Sequence, residues 1–134
     1  MTFLDTSAPG RLLVAETGSA EMLDLFRSDE ELFGASLLVT ELLRVATRNG
    51  LAYAGAERVI RRMRLLSMDD SLLREAGRLN LPDVWVRAAD AIHLVTATRL
   101  QQTDFVTYDR VRARGAEAMG LVVRSPGLEQ GWWS

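Results

Sequence analysis

At 134 residues, 48% of them hydrophobic and with no apolar run of bilayer-spanning length, the chain has the makeup of one soluble globular domain built on one core. Cysteine is absent, which excludes disulfides, thiolate metal sites and cysteine nucleophiles, so a bound metal must be held by oxygen. Lysine is absent too, which excludes Schiff-base and lysine-dependent phosphoryl chemistry, and a net charge of -2 leaves nucleic-acid contact to a local arginine patch rather than to the global field. The first residues lack the basic stretch, long apolar run and small-residue cleavage site of a secretory signal, so a cytoplasmic protein is expected.

Thr2 to Leu4 is a short apolar run that reads as a strand, ending at Asp5 and followed by a turn-rich Thr-Ser-Ala-Pro-Gly loop. Helical spacing begins at Ser19, with Met22, Leu23 and Phe26 on one face and Glu21 near the positive end of the dipole. Glu31 to Ser36 suits a second strand. Thr40 is placed to cap a helix that runs through Leu42, Leu43 and Val45 to Asn49-Gly50, which sets Glu41 in its first turn. Ala54 to Leu66 repeats the helical spacing, Leu65 to Met68 is a brief strand, and Ser71 to Leu79 is a further helix. The most apolar helix runs from about Arg87 to Leu100, with Asp90 at the start of its apolar stripe. Asp104 to Tyr108 is β-rich and ends at Asp109, Val111 to Met119 is helical, and Leu121 to Val123 is a last strand before a tail from Ser125 to Ser134. Strands separated by helices predict an α/β fold: a mostly parallel sheet of four to five short strands covered by helices on both faces. Sites in such sheets form outside the carboxyl ends of the strands, where Asp5 and Asp109 both fall.

Asp5, Glu41, Asp90 and Asp109 each stand where an apolar stretch meets a turn or a helix. Gathering acids in apolar surroundings is costly without a cation, so the four together predict a divalent-metal site. In the absence of metal, Asp5, Glu41 and Asp90 are expected to repel one another and to have raised pKa values. Each acid also has a purely structural use. Asp5 could cap the turn that follows it, Glu41 could pair with Arg44, Asp90 could be a first-turn acid beside Arg87, and Asp109 could cap the next helix. Thr6, Ser7 and Thr107 are candidates for bonding a water or phosphate in the site, against local turn bonding. Arg44 and Arg48 follow Glu41 along one helix face and could meet RNA phosphates or the acids themselves. Arg58, Arg61, Arg62 and Arg64 spread around their helix as a solvated surface. His93, three residues after Asp90, is read as a packing or supporting residue, Asp104 as a solvated strand start, and Trp132 and Trp133 as a C-terminal anchor.

In order along the chain, Leu4-Asp5-Thr6-Ser7-Ala8, Thr40-Glu41-Leu42, Asp90-Ala91-Ile92-His93-Leu94 and Phe105-Val106-Thr107-Tyr108-Asp109-Arg110 resemble the four motifs of PIN-domain ribonucleases of the VapC toxin type. After Ala8 the chain departs from that pattern, with Pro9-Gly10-Arg11 where the family has an apolar pair and often a lysine.

The resemblance implies a single PIN-like three-layer sandwich over residues 1–134, with 125–134 as its tail. It implies metal ligation by Asp5, Glu41, Asp90 and Asp109, and Mg²⁺, or Mn²⁺ in its place, as cofactor. The implied activity is endoribonucleolytic cleavage by water, leaving a 5′-phosphate and a 3′-hydroxyl. Its implied partners are an RNA substrate, a small antitoxin protein and a second copy of the chain in a homodimer, with no membrane. A two-histidine, metal-free route is closed because His93 is the only histidine. A phosphoacceptor receiver would need an acidic pair after the first strand and a late lysine, and a haloacid-dehalogenase-type phosphatase would need an aspartate where Ser7 stands. The remaining alternative is a noncatalytic PIN-like scaffold that binds RNA or protein without cutting.

Overall fold

Five short segments, β1 (Thr2–Leu4), β2 (Leu32–Ala35), β3 (Arg64–Leu66), β4 (Asp104–Val106) and β5 (Val122–Arg124), form one sheet in the computed structural model, which describes residues 1–101 and 104–134. The strand order is β3-β2-β1-β4-β5 and every neighbouring pair is parallel. Parallel neighbours cannot be joined by a hairpin, so helices carry each crossover. α1 (Ser19–Arg27) links β1 to β2, α2 (Leu37–Arg48) and α3 (Tyr53–Arg62) link β2 to β3, α4 (Asp70–Gly77) and α5 (Ala88–Thr98) link β3 to β4, and α6 (Arg110–Ala118) links β4 to β5.

Side chains alternate across a strand, and here the alternation divides the core in two. Phe3, Ala35, Phe105 and Val123 face α4, α5 and α6, while Leu4, Leu32 and Val106 face α1, α2 and α3. Phe3 and Phe105, directly opposite in register, stack with ring centroids 5.5 Å apart. This is the expected three-layer α/β sandwich. Among the described residues, no helix is long and apolar enough to cross a membrane.

Several boundaries differ from the sequence expectation. α2 starts at Leu37, straight after β2, because Leu38, Leu42 and Ala46 are its buried positions; Thr40 is therefore no cap, and Glu41 sits in the second turn. α3 stops at Arg62 with Met63 already extended, so β3 begins at Arg64 rather than Leu65 and ends at Leu66. Pro9–Leu12 is a short 3-10 helix where a loop is expected, with proline at a first-turn position that needs no N–H. β4 ends at Val106, which leaves Thr107 and Tyr108 beyond the sheet edge, and α5 ends at Thr98.

The expected tail is instead packed. Trp133 is 3% exposed and its Nε1–H donates to Glu117 at 3.2 Å, while Tyr108 donates its hydroxyl hydrogen to the Pro126 carbonyl at 2.6 Å. Tyr108 lies so close to Gly18 that a Cβ there would come within 2.6 Å of its hydroxyl, and Gly18 also has φ +97°. Glycine meets both demands.

Candidate active site

Parallel strands all point their carboxyl ends at the same edge, and β1 and β4 are neighbours, so Asp5 and Thr107 emerge side by side. Asp5 is fully buried. Its Oδ1 accepts from the Ser7 amide at 3.1 Å and the Ser7 hydroxyl at 2.6 Å, and its Oδ2 accepts from the Thr107 hydroxyl at 2.5 Å. The Thr107 bond ties the two strand ends together, and Thr107 also accepts from the Asp109 amide at 3.0 Å within its own turn.

Glu41 reaches this edge from α2. Its Oε1 accepts from Thr6 at 2.6 Å and faces His93 Nε2 at 2.5 Å, with His93 projecting from the facing helix α5. Asp90 occupies the first turn of α5, where its Oδ2 accepts from the Arg87 amide at 3.0 Å. Its structural use and its place in the site are thus combined, one oxygen to each.

The remaining oxygens meet one residue that the sequence did not single out. Arg112, on the first turn of α6, directs Nε to Asp90 Oδ1 at 2.7 Å, Nη1 to Asp5 Oδ2 at 3.5 Å and Nη2 to Glu41 Oε2 at 3.5 Å. Its side chain is 11% exposed. Burial works against its charge, yet Asp5, the Asp90 hydrogen bond and Glu41 outweigh burial and raise its pKa above the usual arginine value. Burial likewise works against ionised Glu41. Hydrogen bonds from His93 and Thr6, together with the charges of His93 and Arg112, overcome it and hold the carboxyl down at about 2. The expectation that Glu41 would be raised by acid repulsion is therefore overturned, chiefly because His93 and Thr6 hydrogen-bond its carboxylate, with the Arg112 charge adding to them.

The guanidinium gathers three of the four expected acids. Asp109 stands apart from them, because its Oδ1 accepts from the Arg112 amide at 3.0 Å and so caps α6. Thr6, Ser7 and Thr107 all bond to the acids themselves rather than standing free. Exposed Arg44 and Arg48, with Arg11, Thr40 and Glu41, line a groove of ≈ 660 Å³ that runs up to Thr6 and Ser7. Arg11 is held there by Glu16 at 2.5 Å and lies 4.3 Å from the centre of the Tyr108 ring.

Among the described residues, no three Asp, Glu, His or Cys side chains are placed to hold a metal ion as the site stands. The donor chemistry nevertheless fits one. Asp5, Glu41 and Asp90 offer only carboxylate oxygens, they already converge on a single cationic centre, and hard divalent ions take such oxygens. The only signal for Arg112 in the sequence was its position three residues after Asp109, which is the spacing that lets an N-cap acid seat the residue's amide.

Residues 2–117 match the family model described as PIN domain. Ribonuclease VapC46 of Mycobacterium tuberculosis strain H37Rv is 32% identical over 127 residues, covering 92% of this chain and 96% of that protein. Ribonuclease VapC47 of strain CDC 1551 is 29% identical over 135 residues, covering 95% and 98%. A toxin-antitoxin complex from Klebsiella pneumoniae contains a chain that superposes with a TM-score of 0.68 at 14% identity, over 94% of this chain and 98% of that one, a likeness of fold.

Proposed function

The chain belongs to the PIN-domain family, homologous to VapC-type toxins, and from that premise we propose that it is a metal-dependent endoribonuclease and the toxin of a toxin–antitoxin pair. The observation that carries this reading is the convergence of Asp5, Glu41 and Asp90 on one cationic centre at the carboxyl edge of the sheet. These three carboxylates would hold Mg²⁺ or Mn²⁺. Bound there, the ion supplies neutralisation of the phosphoryl oxygens and a lowered pKa for the attacking water.

The chain's own residues do the rest. Ser7 and Thr107 fix the Asp5 carboxylate, and Thr6 and His93 fix that of Glu41, so the acids are held in place before substrate arrives. Asp109 acts from outside the gathered three, through the helix cap that seats Arg112 and the Thr107 bond to its own amide. Arg44 and Arg48 on the groove wall offer forked donors to the phosphates flanking the cut. A small antitoxin protein as inhibitor, in keeping with the toxin-antitoxin complex that shares the fold, and a homodimeric assembly, implied by the resemblance of the four motifs, complete the proposal.

Incubation of the protein with structured RNA and Mn²⁺, with and without chelator, tests the activity. Cleavage that needs the metal and is lost in Asp90→Asn is the expected result. Binding of RNA with no cleavage under any metal would replace the enzyme with a noncatalytic scaffold.

A further inference from the structure

Each acid of the site divides its two oxygens in the same way. One is committed to the scaffold: Asp5 Oδ1 to Ser7, Glu41 Oε1 to Thr6 and His93, Asp90 Oδ2 to the Arg87 amide. The other meets Arg112, with Thr107 sharing only the one on Asp5. The guanidinium thus occupies the point on which three pre-oriented oxygens converge. Removing it would leave an oxygen-lined site facing one cation, without any rearrangement of the scaffold bonds.

We infer that Arg112 is a displaceable internal cation of the acid cluster, which neutralises Asp5, Glu41 and Asp90 in the metal-free chain and gives up its place when a divalent ion binds. The inference rests on the reading of these three acids as metal ligands. Its geometry favours departure over retention: only the Nε contact to Asp90 is short, at 2.7 Å, while both Nη contacts lie at 3.5 Å. Charge points the same way. A divalent ion brought to oxygens that already face a guanidinium at these distances meets a like charge in a partly desolvated site, where such repulsion is strong. Among the described residues, the hydrogen bonds and ion pairs of the guanidinium all go to these three carboxylates. The freed side chain remains on the first turn of α6, next to the acids, as a mobile fork for an RNA phosphate.

The test compares full-length wild type, Arg112→Gln, Arg112→Lys and Asp90→Asn. Mn²⁺ binding is read from the electron paramagnetic resonance signal of the free ion, stability from melts in chelator, and the position of Arg112 from its Nε–H resonance in ¹⁵N-labelled wild type during Mg²⁺ titration. Arg112→Gln should bind Mn²⁺ about tenfold or more tightly than wild type, the scale of removing one nearby like charge. It should also melt lower in chelator and recover on adding Mn²⁺. In wild type, saturating Mg²⁺ should move the Arg112 Nε–H resonance and expose it to solvent exchange. Arg112→Lys should bind Mn²⁺ close to wild type because it keeps the charge. Equal or weaker Mn²⁺ binding by a folded Arg112→Gln, with binding still dependent on Asp90, would overturn the displacement while leaving the metal site standing. If Arg112→Gln fails to fold, an Nε–H resonance unmoved at saturating Mg²⁺ overturns it in wild type alone. Mn²⁺ binding absent from wild type and Arg112→Gln alike removes the metal reading and this inference with it.

Discussion

The imidazole of His93, fully buried on α5, stands 2.5 Å from Oε1 of Glu41 on α2 and joins two helices that lie on opposite faces of the sheet. Glu41 ionises at about 2, below its ordinary value of 4.5, so its charge stabilises the fold above about pH 4.5 and that contribution is lost as the pH falls toward 2. The shift corresponds to an upper limit of about 3 kcal/mol. In chelator, His93→Ala should move the Glu41 midpoint upward and weaken this acid step. Carbon-detected NMR titration of the Glu41 carboxyl measures it, and an unmoved midpoint would show that His93 does not hold the charge.

Asp5→Asn, Glu41→Gln and Asp90→Asn remove charge at nearly constant volume. Each should lower metal-dependent RNA cleavage by about a hundredfold or more, equivalent to roughly 3 kcal/mol of transition-state stabilisation. Asp104, paired with Arg124 at 2.9 Å on the surface, should tolerate asparagine with little change. Initial rates on one labelled RNA decide the matter; wild-type rates from Asp5→Asn or Asp90→Asn would sink the site.

Stability without metal provides a test of opposite sign to simple acid repulsion. If the acids only repelled, Asp90→Asn would melt higher than wild type in chelator. Because Asp90 pairs with Arg112 and bonds the Arg87 amide, the substitution should instead cost about 1–3 kcal/mol and lower the melting temperature by several degrees. A higher melting temperature for Asp90→Asn would mean that the ion pair is not formed in solution.

Trp133→Ala should destabilise the chain by about 3–5 kcal/mol, as large core truncations do, although the residue is the last but one. Tyr108→Phe removes only the bond to the Pro126 carbonyl and should cost about 1 kcal/mol. Urea denaturation measures both. A Trp133→Ala cost under about 1 kcal/mol would return residues 125–134 to the status of a loose tail.

Alternation and punctuation made the sheet legible: Thr2 to Leu4 is a strand ending at Asp5, and Asp104 to Val106 is the first part of the strand expected to run on to Tyr108. Their parallel order puts both strand ends at one edge, although the residue that emerges beside Asp5 is Thr107 rather than the expected Asp109. The gathering of Asp5, Glu41 and Asp90 was likewise legible, because acids at the ends of apolar stretches need a compensating partner. Arg112 was not. It is one of three arginines at alternate positions, 110, 112 and 114, and only the packing of α6 beside the strand ends buries this one and leaves Arg110 and Arg114 outside. Of the two uses the sequence offered for Asp109, the structure shows the helix cap, and an acid before a helix has the same sequence appearance whether it caps or ligates. The start of α2 was hidden because Thr40-Glu41 resembles a cap, whereas burial of Leu38 decides that the helix is already under way.

β1 lies at the centre of the sheet, yet its neighbours are made far apart in time: β2 begins at Leu32 and β4 only at Asp104. A chain emerging from the ribosome therefore carries Asp5, Glu41 and Asp90 well before it carries the strand and the arginine that assemble them. Until residues 104–112 appear, Asp5 lacks Thr107, Asp90 lacks its guanidinium, and one edge of β1 is open. The acid cluster thus cannot be completed before residues 104–112 are made, although the Glu41 bonds to Thr6 and His93 and the Asp90 bond to Arg87 draw only on residues made earlier.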